Sequence, residues 1–157
     1  MVVATASSDA RLEALRPLGM THGINYSRDD VVTEVARLTD KHMADVIIDP
    51  VGGATLQTSI LSLAHRGRVT VIGSAAREPM KVDLSSMIAG NRSLTGIYLG
   101  AEITTDRVYN RIQQLIQDVT DGSLKAVIDR TFALKDAAEA HRYIESRQAV
   151  GRVLLIP

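Results

Sequence analysis

Short apolar, β-branched runs alternate along the chain with longer segments whose apolar residues recur every three or four positions. The first run, Val2 to Ala6, is five residues long and predicts a strand. It is followed by SSDARLEALRPLG, where Ser7 or Ser8 can cap a helix, Asp9 suits its positive end, and Leu12, Leu15 and Leu18 share a face. Pro17 predicts an early end or a distorted last turn, and Gly19 a stop. HGINYS is a weaker strand, and RDDVVTEVARLTD a second helix with Ser27 as candidate cap and Val31, Val35 and Leu38 inward. A strand over Asp45 to Asp49 leads into ATLQTSILSLAH, a third helix with Leu56, Ile60 and Leu63 or Ala64 on one side. GRVTVIGSA predicts a buried strand ending at Gly73 and Ser74, and the looser stretch AREPMKVDLSSMIAGN precedes a strand in SLTGIYLG. The clearest helix is TTDRVYNRIQQLIQDVTDG, with Val108, Ile112, Leu115, Ile116 and Val119 in one stripe and Gly122 closing it. The tail predicts a short helix in ALKDAAEAHRYIES and a last strand in GRVLLIP.

Strands alternating with helices predict an α/β fold with a doubly wound parallel sheet covered on both faces. In such sheets ligands bind beyond the carboxyl ends of the strands. The predicted strands end in small or polar residues there: Ala6-Ser7, Tyr26-Ser27, Pro50 to Gly53, Gly73-Ser74 and Leu99-Gly100. One such ending is ordinary turn chemistry; five point to a crevice for a ligand. The sharpest is DVIIDPVGG, where an apolar strand runs into an acid, a proline and two glycines. Either the chain needs only a turn there, or something lies against bare backbone.

Composition narrows the classes. Apolar residues make up 45% of the 157, enough for a real core, and 18 basic residues balance 18 acidic ones. Bulk charge therefore selects neither nucleic acid nor an anionic membrane. Cysteine is absent, which removes disulfides and thiolate metal sites. His22, His42, His65 and His141 lack metal-ligand spacing, so no zinc site is expected within the chain. No Ser-His-Asp arrangement or nucleophile elbow stands out, and five aromatics give little stacking surface for single-stranded nucleic acid. No run approaches the ~20 apolar residues that span a bilayer, and MVVATASSD is unlike a signal peptide, so a soluble cytoplasmic protein is expected. A dinucleotide fold should open on a strand and a G-x-G-x-x-G loop; that motif does not occur, and the chain begins at what reads as the second strand of such a fold.

Six segments, in order, carry a family resemblance: VVATASSDARLEAL, LGMTHGINYSRDD, ADVIIDPVGGATL, RGRVTVIGSAA, NRSLTGIYLG and LKDAAEAHRYIESRQAVGRVLLIP. Together they resemble the carboxyl-terminal, nucleotide-binding part of the medium-chain dehydrogenase/reductase superfamily, and within it the zinc-free quinone oxidoreductases. The resemblance implies a partial Rossmann NAD(P)-binding domain over residues 1–125. It implies that residues 126–157 form a segment packing on a catalytic domain, which, with the first strand and its glycine-rich loop, the quoted motifs do not include. It also implies a cofactor-binding part of an NADPH-dependent oxidoreductase, with hydride passing to a quinone or an activated alkene or carbonyl. Catalysis by this chain alone is expected to be weak or absent, and no catalytic residue is assigned.

NAD-binding folds usually place an acid after the second strand to hold the ribose 2′-hydroxyl. Here that corner is Ala4, Thr5, Ala6 and Ser7, all neutral, with Arg11 one helical turn after Ser7. A cation there opposes the helix dipole unless an anion such as a 2′-phosphate compensates it. In similar reductases a serine, a basic residue and a tyrosine, here Ser7, Arg11 and Tyr26, contact the NADP phosphate; the plainer reading is a capped surface helix with a solvated arginine. The resemblance further places Val51 or Gly53 beside the adenosine half, Gly73 and Ser74 near the ribose and pyrophosphate, and Ile97 to Leu99 by the nicotinamide. Arg152 falls where many relatives carry a base near the cofactor, or is a surface arginine before an edge strand. Asp49 reads as a local backbone acceptor rather than a catalytic acid. Family dimers often pair the strand here spanning Ser93 to Gly100. The competing readings are an enoyl-thioester reductase, a zinc-type alcohol dehydrogenase fragment, an S-adenosylmethionine methyltransferase, which the neutral corner disfavours, and an inactive fragment that only self-associates.

Overall fold

The computed structural model describes residues 1–146 and 148–157. The chain divides into two compact units, Met1–Ile103 and Thr104–Pro157. In the first, strands and helices alternate as β1 (Val3–Ala6), α1 (Asp9–Leu15), β2 (His22–Asn25), α2 (Val31–Leu38), β3 (Ala44–Asp49), α3 (Thr55–Leu61), β4 (Leu63–Val71), α4 (Leu84–Ala89) and β5 (Ser93–Gly96). In the second come α5 (Asp106–Thr120), β6 (Ile128–Ala133), α6 (Ala137–Glu145) and β7 (Arg152–Ile156). Every strand pair is parallel, as the alternation predicts: β1 with β2, β3 with β4, β4 with β5, and β6 with β7. The first unit holds two separate ladders, β1-β2 and β3-β4-β5, rather than one continuous sheet. Helix α2 joins them, packing on β2 and on α3.

Local chemistry sets the boundaries. Helix α1 stops at Leu15, and Arg16–Leu18 tighten into a 3-10 turn with Pro17 inside it and Gly19 left-handed at its end. That turn rotates Leu18 off the buried stripe: Leu12 is buried, but Leu18 is exposed, against the expectation of a shared face. The cap of α2 is Asp30, whose carboxylate accepts the Thr33 N–H at 2.8 Å, and not Ser27. Ser27 instead donates its hydroxyl to the Ser7 carbonyl.

Four elements depart from the periodicity. The third helix ends at Leu61, and Leu63-Ala64 open β4, where Leu63 pairs with Ala44 before a register shift brings Arg68 opposite Val46. Both faces of β4 are covered at that point, so Leu63 and Ala64 are buried together and mimic helical spacing. Within the looser stretch, Leu84–Ala89 form α4, capped by Asp83 through the Ser85 N–H. The strand expected over Ser93 to Gly100 ends at Gly96, and Leu99–Ala101 coil into a 3-10 turn. Strand β6, which has no alternation strong enough to reveal it, supplies the parallel partner of β7.

The main core of the first unit is Leu56, Ile60, Leu63 and Val69, flanked by Ile47, Val71, Val82 and Met87. It lies between α3 and the β3-β4-β5 ladder. The stripe on α5 has the expected spacing, yet Leu115, Ile116 and Val119 remain exposed.

Candidate functional site at the strand tips

Register brings the strand ends together within each ladder. Asp49 lies opposite Val71, and Val71 opposite Gly96, so Pro50–Gly53, Ile72–Ser74 and Ile97–Leu99 leave from one edge. In the other ladder Ala6 lies opposite Asn25, so Ser7 and Tyr26 emerge side by side. The Tyr26 N–H donates to the Ala6 carbonyl at 3.1 Å, and its ring is exposed. Arg11 is half-buried on the first turn of α1. Arg152 belongs to the second unit, at the start of β7, where its N–H donates to the Val127 carbonyl.

The DPVGG turn is built on Asp49. This carboxylate is 4% exposed. One oxygen accepts the Val51 and Gly52 N–H groups at 2.8 and 2.9 Å, and the other accepts the Ser59 hydroxyl at 2.9 Å. Asp49 thus fixes the turn and ties it to α3, as a backbone acceptor should. Gly52 and Gly53 both have positive φ, which side-chain-bearing residues rarely adopt. What lies on them is the chain's own loop. A Cβ at Gly52 would sit 2.5 Å from the Met80 methyl, and one at Gly53 2.9 Å from the Ala76 methyl. The β3 and β4 turns are laced together by Ile72, Ala75 and Ala76 N–H groups donating to the Asp49, Pro50 and Val51 carbonyls. Gly73 permits that approach, since its Cβ would fall 2.6 Å from the Pro50 carbonyl oxygen. The bare backbone therefore has a structural reason independent of any ligand. Gly53 also stays on the rim of an open depression of about 860 Å³, shared with Gln57, Glu78 and Lys81.

These bonds decide what each residue can still offer. The Val51 N–H and carbonyl are both used, which leaves its partly exposed side chain. Ile97 spends its N–H on the Val71 carbonyl and keeps its own carbonyl. Ser74 is exposed, with its carbonyl taken by Arg77.

The β1-β2 corner holds a cluster that sequence spacing did not reveal. Asn25 donates through Nδ2 to Asp9 Oδ1 at 3.1 Å and accepts the Ser27 N–H through Oδ1. Arg28 Nη1 donates to Asp9 Oδ2 at 2.6 Å, and its Nε to Asp29 Oδ2 at 3.2 Å. The Arg28 and Asn25 hydrogen bonds hold the Asp9 carboxyl below the usual carboxylate range, and the same Asp9 contact raises Arg28. The available signal was NYSRDD itself: a base two residues beyond a strand-end tyrosine, facing an acid on the neighbouring helix.

A family model described as zinc-binding dehydrogenase matches residues 18–155. The chain belongs to the zinc-binding dehydrogenase family. Within the medium-chain dehydrogenase/reductase superfamily it corresponds to the nucleotide-binding part. It is 31% identical over 159 residues to a 2-haloacrylate reductase from Burkholderia sp, covering 99% of this chain and 48% of that protein. Among solved structures, Pseudomonas syringae quinone oxidoreductase matches with TM-score 0.84 and 32% identity, over 99% of this chain and 48% of that one. Escherichia coli quinone oxidoreductase complexed with NADPH matches with TM-score 0.86 and 27% identity, over 99% and 49%. The chain thus spans about half the length of the relatives it matches. Membership fixes the fold class as the Rossmann-like α/β type that the alternation predicts. Despite the family's descriptive name, no three His, Asp or Glu side chains gather into a metal-binding group among the described residues, so these residues do not fit a zinc ion. No helix among them is long and apolar enough to cross a membrane.

Proposed function

We propose that this chain is the cofactor-binding part of an NADPH-dependent reductase that delivers hydride to a quinone or another activated alkene or carbonyl. The observation carrying this reading is the β1-β2 corner, where Ser7 and Tyr26 emerge side by side next to a helix whose first turn holds Arg11. Two hydroxyls and a guanidinium are donors suited to a phosphate dianion. The NADPH complex of the similar Escherichia coli enzyme supports the choice of cofactor. When bound, the reduced nicotinamide supplies the hydride, and the protein supplies position and electrostatics. Ser7, Arg11 and Tyr26 hold the 2′-phosphate. Val51 and Gly53 border the adenosine half, Gly73 and Ser74 the ribose and pyrophosphate, and Ile97 and Leu99 offer main-chain groups to the carboxamide. Residues 126–157 pack on a catalytic domain of the kind that relatives carry, and exposed apolar residues such as Ile128, Ile144 and Ile156 suit that role.

Fluorescence titration tests the corner. NADPH is expected to bind more tightly than NADH, and Arg11→Ala with Tyr26→Phe to weaken NADPH by about tenfold or more while leaving NADH nearly unchanged. Equal affinities for the two nucleotides would overturn the assignment.

The protein is further expected to be a homodimer through the segment Ser93 to Gly100. Among the described residues, strand β5 is the outer strand of its ladder, hydrogen-bonded to β4 alone, and Ile97, Tyr98 and Leu99 are exposed beside it. An open strand edge is a template for pairing with a second copy. Sedimentation equilibrium should give twice the chain mass; a monomer at micromolar concentration would refute this.

A further inference from the structure

Arg28 lies just beyond the tip of β2, in a turn that folds back on itself. The Arg28 and Asp29 N–H groups both donate to the Asn25 carbonyl, at 3.1 and 2.9 Å. This short turn points the guanidinium across to α1, where it meets Asp9, two residues beyond Ser7. Asn25 is buried and grips the other oxygen of the same carboxylate. The result is an anion of the chain's own, fixed by a guanidinium and an amide, beside the two hydroxyl-bearing residues that follow β1 and β2. Both members of the ion pair are more than half exposed, at 61% and 58% of the side chain.

We propose that Arg28 is a specificity-determining residue for the 2′-phosphate of the cofactor, and that Asp9 is its resident competitor, which the phosphate displaces. The inference rests on the reading of this corner as a dinucleotide site. A phosphate dianion carries about twice the charge of a carboxylate and three acceptor oxygens, and a guanidinium matches it with paired N–H donors. An exposed carboxylate-guanidinium pair in water contributes little net stability, so the exchange meets small resistance. An unphosphorylated ribose offers no anion. Arg28 then stays on Asp9, and the residue discriminates between the two nicotinamide nucleotides. Asp9 could instead act as the acid that receives a ribose 2′-hydroxyl. Against that, one of its oxygens already carries the Asn25 amide and the other the Arg28 guanidinium.

The test isolates the corner with adenosine 2′,5′-bisphosphate and 5′-AMP, titrated into the protein and followed by calorimetry or by amide chemical shifts of residues 7–11 and 25–29. Arg28→Gln should weaken the bisphosphate by about tenfold and leave 5′-AMP within about twofold, with a shallower salt dependence than the unsubstituted protein. Arg28→Lys, which keeps the charge without the fork, should fall between. Asp9→Asn, which keeps an acceptor for Asn25 and removes the competing charge, should tighten the bisphosphate several-fold. An unchanged bisphosphate affinity in Arg28→Gln would overturn the proposal, as would a loss of 5′-AMP binding in Asp9→Asn. If Arg11→Ala and Tyr26→Phe weaken the bisphosphate while Arg28→Gln does not, this inference fails and the cofactor reading stands. If neither ligand binds, both fail.

Discussion

Asp49→Ala should lower the melting temperature by roughly 10 °C, the largest single-residue effect expected outside the apolar core. Its carboxylate satisfies three donors, the Val51 and Gly52 N–H groups and the Ser59 hydroxyl, at a site almost closed to water. Removing it strands all three, at about 1–3 kcal/mol for each buried group left unpaired. Val51 is exposed and Ser59 only half-buried, so water recovers part of that, leaving about 3–4 kcal/mol, equivalent to roughly 10 °C in a chain of this size. Asp49→Asn retains an acceptor for the two N–H groups and should lose about half as much. The effect also reaches the site, because the turn sets the positive φ of Gly52 and Gly53 and holds the β4 loop against them. Thermal melts followed by circular dichroism measure the stability. A shift in Asp49→Ala of less than about 2 °C would mean that the turn is held by its interlocked backbone alone.

Ile60→Ala should cost about 3–4 kcal/mol, within the range for aliphatic truncations at fully buried sites. Ile60 is completely inaccessible and packs with Leu56, Leu63 and Val69 between α3 and β4. Deleting three carbons removes the transfer energy of those atoms and leaves a void that the surrounding strands fill only in part. Ile60→Val, which removes one methylene, should cost about 1 kcal/mol. Urea unfolding reads both, with the midpoint falling and the slope unchanged if the native and unfolded states keep their compactness. Nucleotide affinity measured well below the melting temperature should be preserved, since Ile60 packs in the core with Leu56, Leu63 and Val69 and is not among the residues assigned to the cofactor. A loss of affinity matching the loss of stability would show that α3 and the DPVGG turn move as one piece.

Helix α5 and strands β1 to β5 were legible because each is a local pattern. Three-to-four-residue spacing marks one helix face, and a short β-branched run bounded by glycine or polar residues marks a strand. The resemblance added the cofactor, which no periodicity encodes. Elements whose identity depends on a neighbour were not legible. Strand β6 exists because β7 pairs with it, and its own sequence, IDRTFA, is mostly exposed and irregular. The start of β4 at Leu63 depends on Ala44 across the ladder, since Leu63-Ala64 continue the spacing of α3. Helix α4 is six residues, too short for a periodic signal.

The same division holds at the site. The sequence by itself determined the α/β class, the small and polar strand endings, and Asp49 as an acceptor for the turn that follows it. These depend on side chains within a few residues of one another, where backbone geometry leaves little choice. Only the tertiary structure decided what rests on the glycines and what surrounds Arg28. The loop that covers Gly52 and Gly53 comes from 23 or more positions further along the chain, and the acid that holds Arg28 from 19 positions before it. Spacing along a chain carries no information about such contacts, because they are set by the register of neighbouring strands and by the turns that carry the chain from one strand tip to the next.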